Sequence, residues 1–254
     1  VGSTFGDLNN VGSDFVSSVQ AAGVEAEKLG FSQAEVLSTT TALSSQFGIG
    51  LDAAAQMSNK VLDTAKATGL SVDEATNLFG VLMQTGNLSA KQAENLAEGA
   101  AQLARQKGVA PQAVLQDIAS STEEIASFTD MSGDNIAEAA VQAKIMGLSL
   151  ATTAKISEGL LDFQGSIGKE MEASVLIGKQ LNFQKARELA LEGDIAGATK
   201  EVVSQLGSEA DFLKLNVIQR KALADSIGVS VGELSKMVGQ TDKLTLSGAM
   251  AAGS

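Results

Sequence analysis

The stretch GLSVDEATNLFGVLMQTGNLSAKQAENLAEGAAQLARQK, residues 69–107, decides how the chain folds. It opens on Gly69-Leu70-Ser71-Val72-Asp73-Glu74 and continues as an apolar helix to Gln84. It then turns at Thr85-Gly86-Asn87, restarts at Ser89-Ala90-Lys91-Gln92, and closes on Gln106-Lys107 before Gly108. Ser71 with Glu74, and Ser89 with Gln92, have the spacing of a capping box. In that motif the serine oxygen accepts a first-turn amide and the Glu or Gln reaches back to the cap. The stretch therefore predicts two helices joined by a glycine turn.

Its opening glycine recurs at Gly30, Gly69, Gly108 and Gly147, evenly spaced by 39 residues. Working outward, the unit beginning at Gly30 carries another capping box, Ser32 to Glu35, and an apolar stripe of Val36, Leu37, Leu43 and Phe47. After Gly48-Ile49-Gly50, Asp52 is expected to cap a helix with Ala54, Met57, Val61 and Ala65 on one face. In residues 69–107 the stripes are Ala75, Leu78, Phe79 and Leu82, then Ala93, Leu96, Ala97, Ala100 and Ala104. Alanines let helix axes approach closely, so the second of these helices is expected to be central. The unit from Gly108 places Pro111 at a first helical position, where its missing N–H costs nothing. Val114, Leu115, Ile118 and Ile125 line its apolar face. The turn at residues 128–133 leads to a helix with Ile136, Ala140 and Ala143.

The fourth unit is expected to decay after Phe163, where Gly165 and Gly168 interrupt it. Residues 171–192 read as one longer helix, followed by short ones near 195–206, 208–214 and 217–227. Gly228 to Glu233 repeats the glycine-apolar-serine signature with a capping box. The expected organisation is a leading segment with a first helix (1–29), a repeated helical-pair domain (30–168), a small helical subdomain (169–240) and a flexible tail (241–254). Fold class is all-α: an array or bundle of short antiparallel helices. Helical-pair arrays such as HEAT and armadillo have similar periods, so a short α-solenoid and a bundle are both open.

Composition narrows the chemistry. The chain has 254 residues, no Cys, His, Trp or Tyr, one Pro, and a net charge of −12. Without Cys or His the familiar zinc sites, thiol nucleophiles and histidine-dependent triads are excluded. The negative charge argues against nucleic acid, which needs clustered Lys and Arg. No apolar run approaches the roughly 20 residues of a membrane helix, and there is no signal peptide. Val rather than Met at residue 1 is expected of a piece of a longer chain.

The charges follow the helix grammar. Lys28, Lys66, Arg105, Lys107 and Lys144 fall in last turns, and Glu35, Asp73, Glu74 and Asp134 in first turns, where each complements the helix dipole. Gly80-Val81-Leu82-Met83-Gln84 looks like a string of lysozyme-like transglycosylases. Such enzymes need a buried glutamic acid of raised pKa, whereas Glu74 belongs to a capping box. Asp130-Met131-Ser132-Gly133-Asp134-Asn135 has a calcium-loop flavour, but its glycine and Glu138 fall at the wrong loop positions. The glycine-rich spots lack the Gly-Lys-Ser/Thr of a phosphate loop. The sequence thus names no catalytic, cofactor-binding or metal-ligating residue, and the expectation is a protein that is not an enzyme and takes no cofactor.

Over 69–147 and 185–237 the sequence resembles a bacteriophage tail tape-measure protein. The strings that carry the likeness are Gly69 to Ala75, Thr85-Gly86-Asn87-Leu88-Ser89, Met146-Gly147-Leu148-Ser149, Lys185 to Asp194 and Leu215 to Ala224. The resemblance implies a structural virion component inside the tail tube, setting tail length, taking part in tail assembly and leaving ahead of the DNA at ejection. It implies a homo-oligomer, often a trimer, touching the tube lumen and the tail-tip or baseplate hub, located in the virion tail and in the host cytoplasm during assembly. The family is known for long coiled stretches. This chain departs from it with a glycine turn about every twenty residues, so a compact segment near the tail tip is expected. Two other readings stand beside it: a soluble α-solenoid protein-binding module, and an inactive remnant of a cell-wall-degrading enzyme.

Overall fold

The computed structural model describes residues 13–130 and 132–240, with side chains from residue 17 onward. The leading segment before residue 13 and the tail after 240 lie outside the described residues. Every described element is a helix, so the fold is all-α. The chain forms two compact units that divide between Asp134 and Asn135. That division falls inside the stretch 30–168 read as one repeated domain.

The first unit holds α1 (Ser13–Leu29), α2 (Gln33–Phe47), α3 (Leu51–Thr68), α4 (Val72–Gln84), α5 (Ala90–Gln106), α6 (Pro111–Ser120) and α7 (Thr122–Phe128). All three expected capping boxes form here, at Ser32/Glu35, Ser71/Glu74 and Ser89/Gln92. Pro111 is at the start of α6. The repeat glycines all have positive φ, from 70° at Gly147 to 91° at Gly30. At Gly108 the amide donates to Arg105 O (3.2 Å) and that of Val109 to Ala104 O (2.8 Å), closing the end of α5. A left-handed residue just past a helix end permits this wrap, and glycine takes it without a Cβ penalty. Asp52 is not the cap of α3. The cap is two residues earlier, at Gly50, which makes no side-chain hydrogen bond, and Asp52 sits in the first turn.

Packing follows a simple rule through α6: each helix lies against the next and the next but one. Thus α1, α3 and α5 form one layer, and α2, α4 and α6 the other. The core between them is built from Val36, Leu43, Leu62, Leu78, Phe79, Leu82, Leu96, Val114, Leu115 and Ile118, all buried. The alanine stripe of α5 is buried as expected, but α3 and α4 are the central helices. Each touches four neighbours, whereas α5 touches α3, α4 and α6.

The second unit contains α8 (Asp134–Ile145, whose first residue belongs to the first unit), α9 (Leu150–Leu161), α10 (Phe163–Ile177), α11 (Gln184–Leu191), α12 (Ile195–Leu206), α13 (Glu209–Lys214) and α14 (Val217–Ser226), with residues 231–240 helical as α15. Here α9 packs on α10, α11 and α12, α11 packs on α12, and α10 packs on α14. Two expectations fail. Gly165 and Gly168 do not interrupt a helix; they lie within α10, which Asp162 caps by accepting the Gly165 amide at 3.2 Å. A β-carbon at residue 165 would stand 2.2 Å from the Asp162 carboxylate, so a larger residue there would make that side chain shift. Residues 171–192 are not one helix either. The chain turns at Gly178 (φ 69°) because Leu181 and Phe183, at 3% and 0% exposure, drop into the core. The capping box at Ser230/Glu233 forms, and Glu233 also accepts Thr152 Oγ1 at 2.9 Å, tying α15 to α9.

Candidate functional site: a charged groove along the first helical layer

The motifs that invited a chemical reading have structural roles. Gly80 and Leu82 are buried in α4, with Gly80 under the ring of Phe47. The Ser71 amide, the Gln116 side chain and the Ser71 hydroxyl, in that order, hold the Glu74 carboxyl below its ordinary range. A general acid needs the opposite shift. The Asp130 carboxylate accepts the amides of Ser132 (2.9 Å) and Gly133, which shapes a turn. Leu88 and Leu96 pack beneath that turn. Among the described residues no group of three or more acidic side chains is placed to hold a metal ion, and no helix is long and apolar enough to cross a membrane.

A concavity of the first unit runs over the α1–α3–α5 layer. One part, about 320 Å³, is lined by Glu25, Lys28, Asn59, Lys60, Glu94 and Glu98 among others. A second part, about 250 Å³, continues along α3 and α5 past Asp63, Ala67, Ala97, Ala101 and Arg105. Helical periodicity builds it: Asn59 and Asp63 are one turn apart, as are Glu94 and Glu98, and the intervening alanines keep the floor low. Glu94 sits between Lys60 and Lys91 and pairs with both. Burial would raise its carboxyl, but hydrogen bonds to Lys60 and Lys91, and then their charges, outweigh it and the net shift is downward. The Asn59 side-chain oxygen is buried beside this groove without a hydrogen-bond partner. The groove thus offers charged and hydrogen-bonding groups on a floor of small side chains.

Along the same layer lies a feature the sequence reading assigned differently. Lys66 and Arg105 do more than complement their own helix ends. Lys66 Nζ donates to Leu29 O at 2.5 Å and Arg105 Nη2 to Ala67 O at 2.8 Å. Each cation therefore closes the C-terminus of the helix one repeat earlier. A signal was present: both stand three residues before a repeat glycine. In the other layer Gln116 Nε2 reaches Glu74 Oε1 at 2.7 Å, joining α6 to α4. In the second unit Arg187, 7% exposed, binds Ser166 Oγ at 3.0 Å and the Glu170 carboxylate, joining α11 to α10. Periodicity could not have found that pair, since its partners lie across the break at 178–183.

Compared with known protein families, with curated proteins and with solved structures, the chain gives no match.

Proposed function

We propose that this chain is a structural, non-catalytic packing segment of a phage tail tape-measure protein, seated near the tail tip as part of a homo-oligomer. What supports the reading is where the family-like strings fall. Gly69 to Ala75, Thr85 to Ser89 and Met146 to Ser149 are the turns and caps that define the helical-pair unit. A folded pair adds little axial length, so the segment serves as an anchor more than a ruler. The test is an in-frame deletion of residues 69–107 in the phage, read by electron microscopy and mass spectrometry of purified tails. Tails of nearly unchanged length with impaired assembly or infection are expected. A shortening near 58 Å, the full length of 39 helical residues at ~1.5 Å each, would make the segment a ruler. Absence of the chain from tails would overturn the reading.

One observation favours a second reading, an α-solenoid protein-binding module. Packing of each helix on the next and the next but one, with a groove along one layer, is how helical-repeat arrays build an extended binding face. A chain that is absent from tails and binds a partner through Glu25, Asp63 and Glu98 would decide for it.

A further inference from the structure

Arg187 of α11 is only 7% exposed, yet its guanidinium is not fully engaged. Nε donates to Ser166 Oγ at 3.0 Å and Nη2 to the Glu170 carboxylate. The other terminal nitrogen, Nη1, has no partner among the described residues and is not sealed in the core. The open space beside Arg187 is a groove of about 470 Å³ between α10 and α11. Both helices pack on α9, and the Arg187–Glu170 pair bridges the gap between them. Helical spacing builds the walls. Phe163 and Ile167 lie one turn apart on α10, and Gln184, Glu188 and Leu191 share the face of α11 that carries Arg187. Phe163, Ile167 and Leu191 are 47%, 46% and 68% exposed. Glu188 has only a neutral partner: Gln184 Nε2 donates to its Oε1 at 3.2 Å, which leaves Oε2 open. The groove therefore combines an apolar pocket, a donor whose charge Glu170 already neutralises, and a free acceptor.

We propose that this groove binds an extended peptide segment, anchored by one large apolar side chain. That side chain sits among Phe163, Ile167 and Leu191. The carbonyl of the same residue accepts from Arg187 Nη1, and a backbone N–H donates to Glu188. The chemistry of the lining selects this occupant. With two carboxylates to one guanidinium, the groove turns an anion away. A bare hydrocarbon would cover the Arg187 donors without meeting them, which costs the full desolvation of those groups. A peptide residue carries a carbonyl, an N–H and an apolar side chain together. Gln184 and Glu188 also line a second groove, about 330 Å³, that runs on to Gln205 of α12. Its side-chain amides both donate and accept, as the next backbone groups of a bound chain require. The site lies in the second unit and rests on neither reading given above.

Fluorescence tests it. The chain has no Trp or Tyr, so the emission of the blocked peptide acetyl-Ala-Trp-Ala-amide reports the peptide alone. Titration with the full chain should give a saturable blue shift. Acetyl-Ala-Leu-Ala-amide should reverse it, and the serine and lysine counterparts should not. Ile167→Ser and Leu191→Ser should each weaken binding at least about fivefold. Their far-UV circular dichroism should not change, since both side chains are exposed. Arg187→Lys keeps a charge for Glu170 but loses the planar fork, and should weaken binding more than about tenfold. Should that variant fail to fold, the two wall variants decide. No shift with the natural chain, a shift unaltered in Leu191→Ser, or equal competition by the serine or lysine peptide would each overturn the proposal. So would a natural dimer that Leu191→Ser returns to the 25.9 kDa of one chain with no peptide bound, since a second copy would then occupy the groove.

Discussion

The ring of Phe47, the last residue of α2, lies on Gly80 in the middle of α4, so close that a β-carbon there would be 2.3 Å from it. The two helices belong to one layer of the array, and this contact locks their spacing. Gly80→Ala sets two effects against each other. Alanine gains up to ~1 kcal/mol of helix propensity, while the displaced ring, itself half-buried, loses part of the roughly 1.5–3 kcal/mol that full burial contributes. A net loss of about 1 kcal/mol is expected in urea denaturation. In a Phe47→Ala background the same substitution should become stabilising. Additive effects would mean the ring is free to move aside.

Gly108 and Gly99 make a second comparison. Neither has an atom within 4 Å of where a β-carbon would stand, but only Gly108 has positive φ, at +71°. Gly108→Val should therefore lose roughly 1–2 kcal/mol to backbone strain alone. Gly99→Ala, in the exposed interior of α5, should gain about 0.5–1 kcal/mol. Thermal melts of the pair separate conformation from crowding.

Acid should loosen the helix starts. The carboxyls of Glu35, Glu74 and Glu233 are lowered chiefly by the backbone amides of Ser32, Ser71 and Ser230. A folded-state value below the unfolded one means the unfolded chain binds the proton more readily. The stabilisation is thus complete above the ordinary glutamate value of 4.5 and is lost as pH falls below it through the lowered values. Glu74→Gln should flatten this dependence, measured as melting temperature against pH. A curve parallel to the natural protein's would rule out Glu74 as a contributor.

Lys66→Met and Arg105→Met should each cost roughly 0.3–1 kcal/mol, the range for a cation at an exposed helix C-terminus. Both losses should shrink at high salt. Hydrogen exchange should quicken at the end of α1 in Lys66→Met and at the end of α3 in Arg105→Met, each one repeat upstream of the substitution. Quickening confined to the substituted helix would restore the simpler dipole reading.

Local signals account for what was legible. The repeat glycines, the capping boxes at Ser32, Ser71, Ser89 and Ser230 and the stripe of α4 are set within four or five residues of themselves, so the sequence exposes them directly. Misreadings arose where distant burial decides. The break at 178–183 exists because Leu181 and Phe183 find a core made by α9, α12 and α14, which no local pattern announces. Gly165 was read as a breaker because glycine weakens helices in general, whereas here it makes room for the Asp162 cap. The groove over α1, α3 and α5 needs three helices brought side by side, and its lining residues are spaced a repeat apart. Arg187 and Glu170 look like surface charges until α10 and α11 fold together.

The links from Lys66 to Leu29 and from Arg105 to Ala67 give the layer a direction. Because α1, α3 and α5 run the same way, their negative ends crowd together along one edge. At each step the later helix brings the positive charge that the earlier end requires. Donor and acceptor never exchange places, so the layer reads in one sense, like a ratchet. Adding a whole repeat would keep this pairing of cation and helix end. An insertion of half a period would reverse a helix and point a cation at amide protons, the one neighbour that would repel it.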